Sequence, residues 1–356
     1  MNAASDGAGF AEDRPAALGV DAELLIVGST GGTHIGASFA RAATRLGMQW
    51  ILFDTIEASR GPRVLQSIAW HLARRPLWLN RFGDQVVAHS RNRASKTRVL
   101  VATGAVPLTA AAILQLKTAK VFCINYSTDD PWNRNHRADW QLRALKHYDV
   151  VFTPRRANIQ DFRDLGCSDV RYLPFAYDDE LFSPPEASST TVPSHDVLFV
   201  GGGDRDRAAF LARFKRDGLC PALIGGYWSR FPETRGCDLG HKDAGELRAL
   251  TAAAAVNLCL VRRANRDGNV MRSFEIPAVG GFMLAEDTPE HHEIFGAEGD
   301  KVLYFMTPET AAEKARWALA NPHERRRMAS AARQLISKGR HTYRDRLLQM
   351  LEVASG

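Results

Sequence analysis

The sequence predicts an α/β protein made of two doubly wound, Rossmann-like domains. Short apolar runs of strand length alternate with helical patterns along most of the 356 residues, as in parallel sheets covered by helices. A glycine-rich turn follows the first strand pattern of each half. A Pro-, Ser- and Thr-rich stretch, residues 183–195, interrupts all periodicity and predicts an interdomain linker. The length suits two domains of ~150 residues better than a single core.

The N-terminal half, residues 21–182, opens with a strand pattern, a glycine-rich turn, a helix and a second strand pattern. This order indicates a βαβ unit. A longer helical region is expected over residues 62–94, and strand and helix patterns alternate after it. The strands predicted in this half cover residues 23–29, 49–55, 97–104, 120–127, 147–154 and 169–175.

The same alternation restarts in residues 196–340 and predicts a second sheet. A final helix, residues 341–356, could pack back on the N-terminal domain. Residues 1–20 carry acids and no apolar core, which favours a disordered lead over a signal peptide. In doubly wound sheets, ligands bind beyond the carboxyl ends of the strands. The strands predicted in the second half cover residues 196–202, 221–226, 256–261 and 280–286.

Composition restricts the function classes only mildly. The net charge is +6, from 46 basic and 40 acidic side chains, which fits an anionic substrate or surface and is too small to indicate nucleic acid. The five cysteines are odd in number and show no C-x-x-C spacing, which predicts reduced, cytoplasmic cysteines without a zinc site or disulfide framework. No run of ~18 apolar residues is present, so no spanning helix is expected.

Residues 267–287 carry the most informative pattern. Asp267 precedes Glu275 by eight positions, Arg272 lies between them, and a Pro-Ala-Val-Gly-Gly turn follows. A carboxylate at a helix entry, an Arg and a second carboxylate about two turns along would suit a sugar hydroxyl, a phosphate and a ribose. An ordinary amphipathic helix with solvated charges explains the spacing equally well.

The glycine-rich turn of the second half predicts an anion site. Gly202 and Gly203 remove side-chain bulk at a helix entry, where backbone N–H groups favour an anion. Arg205 and Arg207 add planar donor groups suited to a diphosphate. Basic residues are mildly disfavoured at a helix N-terminus, so a ligand explains at least one of them better than a solvated helix start does.

The matching turn of the first half contains Gly31 and Gly32, which would allow close approach of a phosphate or sugar, or form only a tight turn. Its spacing differs from the G-x-G-x-x-G fingerprint, and the acid expected after the second strand is available only loosely as Asp54. A dinucleotide oxidoreductase is therefore a weaker alternative.

Two further segments follow predicted strands. Asp129 or Asp130 could act as a base or bind a sugar hydroxyl, although Asp-Pro also specifies a turn. Tyr227 and Trp228 could stack on a base or belong to the core. The histidines form no metal-binding spacing, so no catalytic metal is expected.

Residues 63–82 mix arginines with Trp and Leu side chains. Such a basic amphipathic segment can lie at an anionic membrane surface, giving peripheral contact with the inner face of the plasma membrane. A core helix with a solvated basic face is the favoured interpretation of this segment.

The stretches RSFEIPAVGGFMLAEDTPEHHEIF, STDDPWN and DVLFVGGGDRDR resemble GT-B glycosyltransferases of the spore-maturation-protein-like group, which are related to family-4 retaining glycosyltransferases. The resemblance covers roughly residues 23–350. It implies two facing Rossmann-like domains, with the acceptor on the N-terminal one. It also implies a nucleotide-sugar donor, favoured as a UDP-sugar over a GDP-sugar, held mainly by the C-terminal domain. Transfer would be retaining and metal-independent, with no cofactor beyond this co-substrate.

The resemblance also implies roles for single residues. Glu275 matches the acid that contacts the nucleotide ribose, and Asp267 stands where a Glu contacts the donor sugar. Arg207 and Arg272 match basic positions near the diphosphate, and Asn269 lies among these donor contacts. The expected activity is transfer to a hydroxyl of a glycan, lipid or protein. Because Asp replaces the first Glu, a non-catalytic nucleotide-sugar binder is the main alternative.

Overall fold

The computed structural model describes residues 22–91, 98–185 and 193–355, and it divides them into two compact units. The N-terminal domain consists of two segments of the chain, the residues up to Pro174 and those from Tyr343 onward. The C-terminal domain is Phe175–Thr342. The sequence placed the boundary later, at residue 182. The predicted disordered lead, 1–20, lies outside the described residues, as do residues 186–192 of the predicted linker.

The N-terminal domain is built on a six-stranded parallel sheet, as the alternating pattern predicted. The strand order is β2-β1-β3-β4-β5-β6, and neighbouring strands keep a continuous register, with Leu25 opposite both Ile51 and Leu100. The central strands are buried because helices cover both faces of such a sheet. The strands are β1 (Glu23–Gly28), β2 (Gln49–Asp54), β3 (Arg98–Thr103), β4 (Val121–Tyr126), β5 (Val150–Thr153) and β6 (Val170–Tyr172).

Its helices differ from the prediction in three respects. The region 62–94 holds two helices, because Arg74 adopts a left-handed conformation with φ of 49° and Pro76 follows. The first of the two buries no residue, so the expected core helix is wrong there. A short helix before β5 was not predicted. The helices are α1 (Ile35–Arg45), α2 (Arg63–Ala73), α3 (Leu79–Arg91), α4 (Ala110–Thr118), α5 (Asp139–Leu145) and α6 (Ile159–Asp164).

The C-terminal domain has a five-stranded parallel sheet with the order β11-β10-β9-β7-β8. The first strand of this domain therefore lies inside the sheet, and the chain crosses over it to reach the other side. Phe199 and Leu258 are partners in this central pairing. The strands are β7 (Val197–Val200), β8 (Ala222–Ile224), β9 (Val256–Cys259), β10 (Met283–Glu286) and β11 (Leu303–Phe305).

Helices pack on this sheet around a core that includes Phe214, Leu258 and Leu284. The strand order reverses between β7 and β9, and a doubly wound sheet opens a crevice at the carboxyl ends of such a strand pair. The helices of this domain are α7 (Arg205–Arg216), α8 (Ala244–Ala253), α9 (Met271–Ala278), α10 (Pro289–Phe295), α11 (Pro308–Ala320) and α12 (Pro322–Lys338).

The last helix, α13 (Tyr343–Ser355), belongs to the N-terminal domain and packs against α1. The rings of Phe39 and Tyr343 meet edge to face, with centroids 5.6 Å apart. Leu347 of α13 is fully buried. The C-terminal end of the chain is thus part of the N-terminal core.

Replacement of Leu347 by Ala should test this packing. The cavity should lower the free energy of unfolding by ~2–5 kcal/mol, as for other buried leucines. Glu352→Ala, an exposed change on the same helix, should cost less than ~0.5 kcal/mol. Equal urea midpoints for the two variants would show that α13 does not belong to this core.

Candidate functional site

Arg207 occupies the crevice between β7 and β9. Its side chain is buried, and its guanidinium donates from Nη1 to the Gly202 carbonyl at 3.1 Å and from Nη2 to the Leu260 carbonyl at 3.2 Å. Gly202 follows β7 and Leu260 follows β9, so one side chain joins the two loops. Burial lowers the pKa of Arg207, and the nearby charge of Arg262 lowers it further.

Arg207 shares one carboxylate with Arg262. Asp204 caps α7, because its Oδ1 accepts from the Arg207 backbone N–H at 2.9 Å. Its Oδ2 lies 3.9 Å from Arg207 Nε and 3.8 Å from Arg262 Nε. Two guanidinium groups thus face one carboxylate at a helix N-terminus, where an anion is favoured. The sequence reasoning missed Arg262, although a pair of arginines directly after a buried strand was a usable signal.

Trp228 forms the wall behind the glycine turn. Its side chain is buried, its Nε1 donates to the Gly201 carbonyl at 3.0 Å, and its ring meets Phe199 edge to face. A β-carbon at Gly203 would lie 2.9 Å from Trp228 Cε3, so this turn excludes larger residues. The prediction that Trp228 stacks on a base is therefore wrong, because its ring is enclosed by the core.

Tyr227 and Arg205 are the exposed members of the predicted set. Tyr227 is 61% exposed and has a φ of 73°, an uncommon conformation for an aromatic residue. Arg230 lies 4.5 Å from its ring centroid, and a β-carbon at Gly202 would lie 4.0 Å from the Tyr227 ring. The exposed face of Tyr227 stays a candidate for stacking on a base. Arg205 is exposed at the first residue of α7.

Glu275 and Arg272 pair on α9. Glu275 is buried, and its carboxylate accepts a hydrogen bond from Arg272 Nη1 one turn earlier. Burial raises the pKa of Glu275, whereas the Arg272 charge opposes that rise. Arg272 Cζ also lies 5.7 Å from the ring centroid of Phe182. The second acid of the motif is thus held in a defined position.

The loop from β9 to α9 carries the other predicted residues. Asp267 is half-buried, and its negative charge raises the pKa of Arg207, which places the two in the same electrostatic environment. Asn269 is completely buried, and its Oδ1 accepts from the Phe175 backbone N–H at 3.1 Å. The predicted donor contact of Asn269 is corrected accordingly, since its side chain fixes the loop from inside.

A buried hydrogen-bonded chain holds the start of α9. The Val270 backbone N–H donates to Ser273 Oγ at 3.1 Å, and Ser273 Oγ lies 2.8 Å from His291 Nε2. His291 Nδ1 lies 2.7 Å from the Glu286 carbonyl, which makes Nδ1 the protonated nitrogen and Nε2 the acceptor of the Ser273 hydroxyl. Burial lowers the pKa of His291 to about 4, so the ring is neutral.

The same loop requires glycine at position 268. A β-carbon at Gly268 would lie 2.0 Å from the carboxyl carbon of Glu290. Thr288 Oγ1 donates to the Gly268 carbonyl at 2.6 Å. The sequence between the two acids is therefore shaped by contacts with α10, which no local pattern reveals.

The N-terminal domain carries a separate set of predicted residues. Gly31 and Gly32 have φ of 87° and 51°, and a β-carbon at either position would meet nothing within 4 Å. Their turn is therefore open, and left-handed backbone explains the glycines without a ligand. The Thr30 hydroxyl donates to Asp54, which also caps the following turn.

Asp129 and Asp130 differ in their surroundings. Asp130 is buried, and its Oδ1 accepts from the Trp132 backbone N–H and from Asn158 Nδ2, each at 3.0 Å. It sets the Asp-Pro turn, so its predicted role as a base is corrected to a structural one. Asp129 is half-buried, with Oδ2 3.6 Å from the position of a β-carbon at Gly104.

Residues 22–91, 98–185 and 193–355 contain no group of three or more His, Cys, Asp or Glu side chains placed to hold a metal ion. Over the same ranges, none of the helices combines the length and apolarity needed to cross a bilayer.

Comparison with known proteins identifies the fold. Sucrose-phosphate synthase from Thermosynechococcus elongatus is similar with a TM-score of 0.65 and 13% identity, over 93% of this chain and 98% of that one. Anabaena Alr3699/HepE in complex with UDP-glucose is similar with a TM-score of 0.65 and 11% identity, over 93% of this chain and 99% of that one. The chain has the GT-B fold. A structure from E. coli, described as trehalose-6-phosphate bound with UDP-2-fluoro glucose, is similar with a TM-score of 0.60 and 13% identity. The similarity covers 93% of this chain and 99% of that one.

The family comparison concerns the C-terminal part. Residues 205–352 match the family described as Glycosyl transferase-like. This segment begins at the first residue of α7 and includes Arg207, Asp267, Arg272 and Glu275. It is therefore a glycosyltransferase-like region, and it contains the β9 side of the crevice, whereas the glycine turn and Asp204 lie just before it. The comparison with curated proteins finds no match.

The neutral His291 should make stability depend on pH. Its pKa is about 4 in the folded state against 6.5 for the ordinary side chain, so between these values the unfolded chain binds a proton that the folded chain excludes. Stability from this residue should fall as pH drops through that window, by about 2 kcal/mol from pH 7 to pH 5.

Urea unfolding of His291→Gln at pH 7 and pH 5 measures this contribution. The variant should be less stable at pH 7 and should lose less stability than the wild type on acidification. His323→Gln, at an exposed site, should retain the wild-type dependence. An identical loss in the wild type and His291→Gln would contradict the assignment.

Proposed function

We propose that this protein is a glycosyltransferase that moves a sugar from a nucleotide-sugar donor, with UDP favoured over GDP, to a hydroxyl acceptor. The observation that carries the proposal is the buried Arg207 guanidinium, which joins the loops after β7 and β9 and shares the Asp204 carboxylate with Arg262. A cationic crevice of this kind suits a diphosphate. The glycosyltransferase-like region and the UDP-sugars bound by two structural neighbours support the same donor class.

The proposed reaction breaks the bond between the anomeric carbon and the diphosphate oxygen and forms a bond from that carbon to the acceptor oxygen. The bonding electrons leave with the nucleoside diphosphate, and the acceptor proton passes to a base. Arg207, Arg262 and the N-terminus of α7 would stabilise the charge that develops on the leaving group. Because these groups are cationic, we propose transfer without a metal ion. We also propose retention of configuration, which rests on the resemblance to family-4 retaining glycosyltransferases.

Individual roles follow from this arrangement. Glu275 would accept hydrogen bonds from the ribose, and Asp267 would contact the donor sugar. Arg272 positions Glu275 by pairing with it. Tyr227 offers an exposed ring for stacking on the base. Asp129 or the leaving phosphate would take the acceptor proton. The acceptor would be a glycan, a lipid or a protein, and assignment to the spore-maturation-protein-like group is part of this proposal.

Nucleotide binding tests the crevice. Arg207→Lys keeps the charge but loses the planar fork, and it should weaken UDP binding at least ~30-fold, about 2 kcal/mol, because charge-assisted hydrogen bonds are lost. Arg262→Gln should weaken binding ~10-fold. Arg216→Gln, at the far end of α7, should bind UDP as the wild type does in isothermal titration calorimetry. Unchanged affinity in both Arg207→Lys and Arg262→Gln would refute the diphosphate site.

Turnover of the nucleotide-sugar separates an enzyme from a non-catalytic binder. The binder is the main alternative, because Asp267 stands where the related enzymes have a Glu. Wild-type protein should release UDP from a radiolabelled UDP-sugar when supplied with an acceptor. Asp267→Asn should lower that rate ~100-fold or more and leave UDP affinity within about threefold, because the carboxylate contacts the sugar. Intact UDP-sugar binding without turnover of any donor in a panel would favour the binder.

A further inference from the structure

Helix α2 presents an apolar stripe that nothing in the described structure covers. The stripe consists of Val64, Leu65, Ile68 and Leu72, which are 68%, 48%, 47% and 84% exposed. No residue of α2 is buried. Surface helices normally direct their apolar side chains toward the protein core. The exposed stripe of α2 therefore suggests that another molecule covers it.

The stripe points away from the domain. Its members lie at positions i, i+1, i+4 and i+8, which at ~100° per residue fall within about a quarter of the helix circumference. The half-buried residues of α2 are Gln66, Ala69 and Trp70, and they fall on the other side. The helix therefore rests on the domain through that side and exposes the stripe.

Positive charge surrounds the stripe. Residues 60–82 contain five arginines and no Asp or Glu, and all five are exposed: Arg60, Arg63, Arg74, Arg75 and Arg81. Trp78 is 45% exposed, its Nε1 donates to the Arg60 carbonyl at 2.7 Å, and Arg81 Cζ lies 6.0 Å from its ring centroid. An amphipathic indole beside arginines suits the boundary between lipid headgroups and acyl chains.

Charge decides among the partners that could cover this surface. A second copy of the chain would bring the same arginines against each other in a two-fold contact, because such an interface pairs one patch with itself. An anionic lipid surface accepts the apolar stripe between its acyl chains and neutralises the arginines at its headgroups. The five arginines therefore favour lipid over self-association.

We propose that α2, with Trp78 and the flanking arginines, docks the N-terminal domain on anionic lipid membranes without crossing them. The helix lies in the plane of the interface, with the apolar stripe inserted and the arginines at headgroup level. This docking is independent of the nucleotide crevice, which lies in the other domain.

Vesicle co-sedimentation of the full chain tests the proposal. The wild type should bind vesicles that contain phosphatidylglycerol at low salt, bind phosphatidylcholine vesicles at least fivefold less, and detach in high salt. Leu65→Ser with Leu72→Ser, and separately Arg63→Glu with Arg75→Glu, should each lower the bound fraction at least fivefold. Because these side chains are exposed, the thermal midpoint and UDP affinity should stay at wild-type values.

Two controls match these changes elsewhere in the same domain. Leu114→Ser removes a leucine that is 47% exposed, and Lys146→Glu with Arg163→Glu makes the same change in net charge at exposed sites. Both should bind vesicles like the wild type. Absence of wild-type binding at low salt, or equal losses in test and control variants, would overturn the proposal. So would a dimer in analytical ultracentrifugation that Leu65→Ser with Leu72→Ser abolishes.

Discussion

The candidate site depends on one buried cation. Arg207 donates to the carbonyls of Gly202 and Leu260 and so ties together the two loops that leave the sheet where its strand order reverses. Burial of a charge is costly unless it is paired and hydrogen-bonded. Here the two carbonyls accept from Nη1 and Nη2, whereas the buried Nε of Arg207 makes no hydrogen bond to any described residue. Asp204 is shared with Arg262, and the charge of Asp267 also acts on Arg207. An anion bound in the crevice would face both guanidinium groups.

The neighbouring structure serves to hold this crevice in shape. Trp228 supports the glycine turn from the core, so the turn stays close to the β9 loop. The Ser273–His291 chain fixes the first turn of α9, and Glu290 excludes any side chain at position 268. Breaking a buried hydrogen bond of this type is costly, because it leaves a polar group unpaired in a low-dielectric interior. The carboxylates of the motif are thereby presented from a rigid frame.

The sequence predicted the parallel sheets well because buried parallel strands are continuous apolar runs with helices between them. It also predicted Arg207, Arg272 and Glu275 as site residues, since charged residues stand out against an apolar helix pattern. It failed where distant contacts decide. The seven-residue α5 has no side-chain cap that the sequence could reveal. Trp228 packs in the core against Phe199. Asp130 accepts a hydrogen bond from Asn158. Helix α2 was expected in the core because its pattern is amphipathic, and the pattern does not say which medium receives the apolar face.

Isothermal titration calorimetry with uridine, UMP and UDP shows whether the crevice around Arg207 binds a diphosphate. If it does, each added phosphate strengthens binding, and UDP binds at least ~30-fold more tightly than UMP, a difference of about 2 kcal/mol. Equal affinities for UMP and UDP would contradict the claim, because the paired arginines would then have no diphosphate to bind.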